Sequence, residues 1–337
     1  MRAVVLRSHG GPECLVIEDV ADPVPGPDEA VVDVRTTALN RADLLQVLGL
    51  YPDPRGVVPE IPGMEFSGVV SAVGERVKLW HPGDEVMAIE AGGGYAERVA
   101  VHERQLMRVP ISVGVADAAA IPEVYLTAWD ALVVQSGLMS GRWALVHAGA
   151  SGVGTASIQI AKAIGARIAV TCSAGKLQAC RDLGADVVID YGSQDFVEEV
   201  NSATGGVGAD VILDVIGGDY LDRNLRCLAN QGTIIQVGLM GGGATNINLG
   251  MMLAKRARLI GTGLRVRPIE QKVALVQRFV REMLPLFDSG QLKPIIDSRF
   301  PLDQIQDAHR YMASNANTGK ILIDVSPRSA SPAPGRL

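Results

Sequence analysis

Residues 148–154 read Ala148-Gly149-Ala150-Ser151-Gly152-Val153-Gly154, a run of mostly small side chains between an apolar stretch ending at His147 and a helical pattern that begins near Gly154. At a strand-to-helix turn, small residues let backbone N–H groups approach a pyrophosphate, and the helix N-terminus adds partial positive charge. The spacing is not GxGxxG, and small-residue turns also arise from packing alone. The next strand-like run ends in Thr171-Cys172-Ser173-Ala174-Gly175-Lys176. Sites for NAD usually place a carboxylate there to hold the ribose 2′-hydroxyl. Here the end of the strand offers a hydroxyl, Ser173, and a cation, Lys176, which suit the 2′-phosphate of NADPH. The plainer reading of Lys176 is a lysine that solvates the start of a helix.

A second glycine cluster, Gly238-Leu239-Met240-Gly241-Gly242-Gly243, follows the apolar run 233–237, and 13 of the 38 glycines fall between Gly205 and Gly263. The cluster has two readings, a loop around the nicotinamide end of a dinucleotide and a flexible surface loop.

Other chemistry lacks its residues. Ser151 has no GxSxG context, so a nucleophile elbow is unsupported. Histidines 9, 81, 102, 147 and 309 form no HExxH pair; His147, beside the glycine turn, reads as a packed or locally hydrogen-bonded group. Cysteines 14, 172, 180 and 227 lie far apart without a CxxC, which argues against a zinc ribbon, a cluster or a disulfide framework and suits a reducing compartment. A formal net charge of −6 and 4% aromatics argue against nucleic acid as a partner. With no long uninterrupted apolar segment and no signal-peptide pattern, the expected address is the cytoplasm, without a membrane partner.

These residues need elements to position them. From Trp143 the chain alternates short Val/Ile/Leu runs, near 144–147, 168–171, 186–189, 210–213, 233–237 and 259–262, with helical patterns such as 154–164, 176–183 and 196–204. Such alternation predicts a parallel sheet covered on both faces, an α/β doubly wound nucleotide domain. Before it, strand-like runs at 3–6, 15–20, 30–39, 68–73 and 84–89 are punctuated by Pro-Gly and Gly-Asp pairs and predict a β-rich region. After a long helix over about 270–287, strand–helix–strand texture returns at 295–300, 304–314 and 320–325. That last piece is too small to stand alone and is expected to complete the first domain. The expected division is therefore 1–123 plus 288–326 for the β-rich domain and 124–287 for the nucleotide domain. Residues 327–337, rich in Ser, Pro and Ala, read as a disordered tail.

The motifs together resemble those of the zinc-independent quinone oxidoreductases in the medium-chain dehydrogenase/reductase superfamily. The likeness runs from Met1 to about Val325 and is carried by Met1-Arg2-Ala3-Val4-Val5, Leu39-Asn40-Arg41-Ala42-Asp43, Gly49-Leu50-Tyr51-Pro52, Pro62-Gly63-Met64-Glu65-Phe66-Ser67-Gly68, Gly74-Glu75-Arg76-Val77, Pro82-Gly83-Asp84-Glu85-Val86, the glycine turn and Asn317-Thr318-Gly319-Lys320. Ile216-Gly217-Gly218 and the second glycine cluster look most like the tumour-suppressor-inducible group. The resemblance implies a Rossmann domain inserted in a GroES-like catalytic domain, and NADPH-dependent reduction of a quinone by direct hydride transfer. An enone or enoyl-thioester reductase, and a low-turnover NADPH-binding redox sensor, are the alternatives.

Zinc-dependent relatives carry Cys where Asn40 stands and His where Met64 stands, and a four-cysteine lobe that the stretch from Glu90 to Glu97 does not supply, so no metal is expected. Asp43 and Glu65 persist without that role. By resemblance, Ser151, Gly152, Val153 and Gly154 would hold the pyrophosphate, and Ser173, Lys176 and Tyr191 would surround the adenosine phosphate. Asn40, Thr127, Gly238, Leu239, Leu264 and Asn317 would lie near the nicotinamide. Tyr51 would orient or protonate the acceptor oxygen, or only gate the site. Relatives pair the edge strand of the nucleotide domain, here 259–264, into a homodimer; a covering loop is the other reading of that edge.

Overall fold

The computed structural model describes residues 1–57 and 59–325, so the expected tail at 327–337 lies outside the described residues. Two compact units emerge: Met1–Glu123 with Pro268–Asp288 and Ile296 onward, and Val124–Arg267 with Ser289–Ile295.

In the first unit, strands β1 (Arg2–Leu6) and β2 (Leu15–Asp19) form an antiparallel pair. A seven-stranded sheet is built from β3 (Glu29–Ala38), β4 (Glu65–Val73), β5 (Glu85–Ile89), β6 (Arg98–His102) and β7 (Met107–Arg108), which the strands β14 (Ile296–Pro301) and β15 (Lys320–Asp324) complete. Its order is β14-β15-β3-β4-β5-β7, with β6 also paired to β3. β3 is the spine: it is buried along most of its length and lies antiparallel to β15, β4 and β6. Aliphatic side chains fill the core, among them Val4, Val32, Leu39, Phe66, Ile321 and Ile323.

The second unit has strands β8 (Trp143–Val146), β9 (Arg167–Cys172), β10 (Val187–Asp190), β11 (Ala209–Asp214), β12 (Leu228–Gln236) and β13 (Arg258–Gly261), in the order β10-β9-β8-β11-β12-β13. Every pairing is parallel. Period-two alternation splits each strand between two cores. Val146, Val170 and Leu213 pack with Ile158 and Ala161 of the helix Gly152–Ala163 on one face. On the other, Leu145, Ala169 and Ile212 pack with Phe196, Val200, Leu221 and Leu225 from the helices Phe196–Ala203 and Tyr220–Cys227. Burial on both faces is why these strands read as unbroken apolar runs.

Three details differ from the sequence expectation. The predicted helix over 270–287 is two helices, Ile269–Glu282 and Leu284–Asp288. Pro285 lacks the N–H that a continuous helix would need there, and it fits the first turn of a new one. Both belong with the first unit rather than with the nucleotide domain. Gln277 donates to the Arg104 carbonyl at 3.1 Å, and Arg104 pairs with Glu270, so the amphipathic helix docks on the 103–105 turn of that unit. Strands β6 and β7 lie outside the expected runs; β6, Arg-Val-Ala-Val-His, is short and pairs with a partner 65 or more residues away, and β7 has two residues.

Candidate functional site

The glycine turn follows β8. Gly149 N–H donates to the Thr171 carbonyl at 2.8 Å, tying the turn to β9, while Ala148 takes a left-handed φ of 58°. The Ser151 hydroxyl caps the helix Gly152–Ala163 by accepting from Gly154 N–H at 3.0 Å. That helix has no acidic residue in its first turn, and helix geometry leaves the N–H groups of Gly152 and Val153 without an intrahelical carbonyl. A Cβ on Gly154 would fall on the backbone of Ala148 and Gly149, and one on Gly149 would lie 2.5 Å from Val170 Cβ. Side chains are excluded where the backbone must come close, so the turn fits a pyrophosphate.

Behind the turn runs a buried polar chain. His147 Nδ1 lies 3.1 Å from Thr171 Oγ1 and its Nε2 lies 2.7 Å from Asn224 Oδ1. Asn224 Nδ2 donates to Asp214 Oδ2 at 2.9 Å, and Asp214 Oδ1 accepts from the N–H groups of Ile216 and Gly217 at 2.6 and 3.0 Å. Burial pushes the His147 imidazole down towards the neutral form. The histidine is thus structural, as its sequence context suggested.

At the end of β9, Ser173 opens the single turn Ala174–Lys176, and Lys176 N–H returns to the Ser173 carbonyl at 2.9 Å. Tyr191 follows β10, exposed, with its N–H 3.2 Å from the Cys172 carbonyl, which brings 173, 176 and 191 to one end of two adjacent strands. Asp190, at the end of β10, does not supply the missing acid: its carboxylate accepts from Gly192 N–H and Ser193 Oγ at 3.0 and 2.8 Å. The Cys172 thiol is drawn below its ordinary value by the Cys180 thiol first, with burial and Asp190 opposing and Lys176 and Arg181 assisting. The set fits a 2′-phosphate.

The second glycine cluster is anchored rather than loose. Met240 and Gly241 N–H groups donate to the carbonyls of Val215 and Ile216 at 3.1 and 2.7 Å, and Gln236 Nε2 donates to the Gly238 carbonyl at 2.6 Å. Leu239 remains exposed, Thr127 is nearly buried on the helix Pro122–Trp129, and Leu264 follows β13. Sequence reasoning missed the clamp that holds this last segment. Asp130, in a π-helical stretch Asp130–Gln135, pairs with Arg267 at 2.5 Å, and both Arg267 and Gln135 donate to Thr262 Oγ1.

In the first unit, Asn40 follows β3 and caps the helix Arg41–Val47, its N–H donating to Asp43 Oδ2 at 2.8 Å. Asp43 also accepts from Tyr95 OH at 2.9 Å; burial, then the Asp43 charge, pushes that phenol well above its ordinary range. Lys320, only 3% exposed, donates to Asn40 Oδ1, Glu65 Oε1 and the Leu39 carbonyl, each at 2.7 Å. Asn40 Nδ2 donates to the same Glu65 oxygen at 2.9 Å, and Glu65 Oε2 accepts from Glu123 N–H at 2.8 Å. Asn317 Nδ2 donates to the Gly319 carbonyl at 2.9 Å and Tyr51 is half-buried before the Asp53–Arg55 pair. The sequence named Lys320 only within a motif. A lone lysine opening the apolar strand Lys-Ile-Leu-Ile-Asp was the available signal.

Two family models match: an alcohol dehydrogenase GroES-like domain over residues 26–111 and a zinc-binding dehydrogenase over 183–323. The human synaptic vesicle membrane protein VAT-1 homolog is 32% identical over 97% of this chain and 87% of its own. The structure of Escherichia coli quinone oxidoreductase complexed with NADPH shares 30% identity at a TM-score of 0.88, covering 96% of this chain and all of that one. The CurK enoyl reductase structure shares 27% identity at a TM-score of 0.86, covering 96% and 99% of the two chains.

The second family description implies zinc, and the side chains here do not fit it. Asn40 and Met64 are poor zinc ligands, and the Glu65 carboxylate already receives an ammonium. Among the described residues no group of three His, Cys, Asp or Glu side chains is placed to hold a metal. No helix among them is long and apolar enough to cross a membrane.

Proposed function

The chain belongs to the medium-chain dehydrogenase/reductase superfamily, and from that membership we propose that it is an NADPH-dependent quinone reductase. One observation carries the choice of acceptor: a lysine ammonium, not a metal, faces Glu65 and Asn40. Reduction of a simple ketone needs strong polarisation of its oxygen. A quinone or similarly activated carbonyl is electron-poor and spreads the incoming charge through its own conjugation, so it needs no Lewis acid.

Bound NADPH would supply the hydride. The protein's part is to hold and orient. The free N–H groups of Gly152 and Val153 would take the pyrophosphate in a turn shaped by Ser151 and Gly154, Ser173 and Lys176 would take the 2′-phosphate, and Tyr191 would border the adenosine. In this reading Thr127, Gly238, Leu239, Leu264, Asn40 and Asn317 would border the nicotinamide, and Tyr51 would direct a hydrogen bond to the acceptor oxygen. Water supplies the protons of the hydroquinone.

The test mixes purified protein with NADPH or NADH and a panel of ortho- and para-quinones, following loss of reduced-nicotinamide absorbance. NADPH-dependent turnover supports the reading, and its absence on every quinone sinks it. The likeness to CurK enoyl reductase favours a second reading, an enone or enoyl-thioester reductase, which product analysis distinguishes by saturation of the C=C bond.

We propose with it a cytoplasmic address, which suits the free thiols, and a homodimer. Among the described residues strand β13 pairs with β12 alone, and Leu259 on it is exposed, as are Leu249 and Leu253 on the helix Leu249–Lys255. Sedimentation velocity checks this: a monomer at micromolar concentration removes the dimer.

A further inference from the structure

Lys320 is the buried lysine among the described residues, and its position is unusual for what it displaces. It opens a strand whose next three residues are fully buried and apolar. An apolar side chain of like volume would satisfy such a position with no charge to desolvate, so an ion pair here is weak evidence for stability and better evidence for a geometric task. The geometry names the task. An ammonium only donates and a carboxylate only accepts. Asn40 sits between them, 2.7 Å from Lys320 Nζ and 2.9 Å from Glu65 Oε1. The carboxamide therefore has one orientation, oxygen to Lys320 and nitrogen to Glu65, because the flipped form would set NH2 against NH3⁺ and C=O against carboxylate. Glu65 is itself fixed, through Oε2, by Glu123 N–H at 2.8 Å, and the backbone of Asn40 by Asp43. What Asn40 has left, one N–H in loose contact with the Ala38 carbonyl at 3.5 Å, is then held in place, while its side-chain oxygen receives Lys320 and the Asp43 N–H of the capping box.

We propose that Lys320 is a positioning residue for hydride transfer: its ammonium, anchored on Glu65, locks the Asn40 carboxamide in one orientation. The role in transfer rests on the reading that Asn40 borders the reacting nicotinamide; the lock itself does not.

The test compares wild type with Lys320→Met and with the charge-neutral double variant Lys320→Met/Glu65→Gln. Melting temperature, NADPH dissociation constant, kcat with a quinone and the isotope effect from NADPH deuterated at the transferred position are measured for each. The single variant leaves Glu65 buried without its partner and loses both stability and kcat. The double variant is expected to regain most of the melting temperature yet keep kcat about tenfold down, with a larger isotope effect and an unchanged NADPH constant. A double variant that regains kcat together with stability overturns the proposal, because Lys320 would then only neutralise Glu65.

A second measurement needs neither variant to fold. The chain has eight asparagines, so side-chain ¹⁵N labelling is tractable, with the Asn40 signals assigned by their loss in Asn40→Ser. Nδ2 protons at Asn40 that are protected from solvent exchange in the wild-type protein support the lock, and protons that exchange as fast as those of an exposed asparagine overturn it; separate signals alone do not count, because carboxamide C–N rotation is slow in any asparagine. Wild-type protein that reduces no quinone overturns the functional reading instead, and the carboxamide spectrum then decides the lock by itself.

Discussion

His147 Nε2 donates to Asn224 Oδ1 across 2.7 Å, and the direction of that bond follows from the rest of the chain. Asp214 only accepts, so Asn224 must turn its nitrogen to Asp214 and its oxygen to His147. His147 is then the neutral tautomer with hydrogen on Nε2, and Nδ1 accepts from Thr171. One buried line links the ends of β8, β9 and β11 and fixes the Ile216–Gly217 turn. Asn224→Leu should cost roughly 3 kcal/mol, because it leaves a buried donor and a buried acceptor unpaired. It should also weaken NADPH binding by loosening that turn. Urea midpoints and nicotinamide fluorescence titration check both.

Lys176→Ala should raise the NADPH dissociation constant about tenfold, the order expected for one exposed charge-assisted contact, and leave NADH nearly unchanged. Equal changes for the two cofactors, read by titration, would remove the 2′-phosphate assignment.

Gly154→Ala places a methyl group on the backbone of Ala148 and Gly149, which cannot withdraw as a flexible side chain would. NADPH binding should fall by about a hundredfold, roughly 2.7 kcal/mol. Gly175→Ala, where an added Cβ meets nothing within 4 Å, should leave the melting temperature unaltered.

Burial lowers the His309 imidazole to about 4, from an ordinary value of 6.5. The unfolded chain therefore binds a proton between these values that the folded chain refuses, so stability rises with pH through this window and is lost as pH falls from 6.5 through 4. The full difference is roughly 3 kcal/mol. In His309→Gln that dependence should flatten, as denaturation at stepped pH would reveal; an unchanged slope would assign it to other groups.

Tyr51→Phe keeps the ring and removes the hydroxyl. With its hydrogen bond directed at the acceptor, kcat/KM for quinone should drop about fivefold to tenfold while the NADPH constant holds. Unaltered kinetics would reduce Tyr51 to a gate.

Much of this was legible beforehand because it is local. The strands 144–147 and 210–213 lie within a residue of β8 and β11, since unbroken Val/Ile/Leu runs flanked by helical periodicity have few other uses than a doubly covered parallel sheet. The glycine turn was legible for the same reason, as Gly149 and Gly154 exclude side chains within one seven-residue stretch.

Partner choice was not legible, because it is made between residues far apart. Lys320 meets Asn40 and Glu65 across 280 and 255 positions, His147 meets Asn224 across 77, and the helix Ile269–Glu282 chose the first unit through Arg104. The sequence by itself determined the alternation of elements, the small-residue turn and the missing acid after β9. Only the tertiary structure decided that a lysine opening an apolar strand would be buried as an ion pair, because a charge leaves water only where the fold has already assembled the groups that receive it.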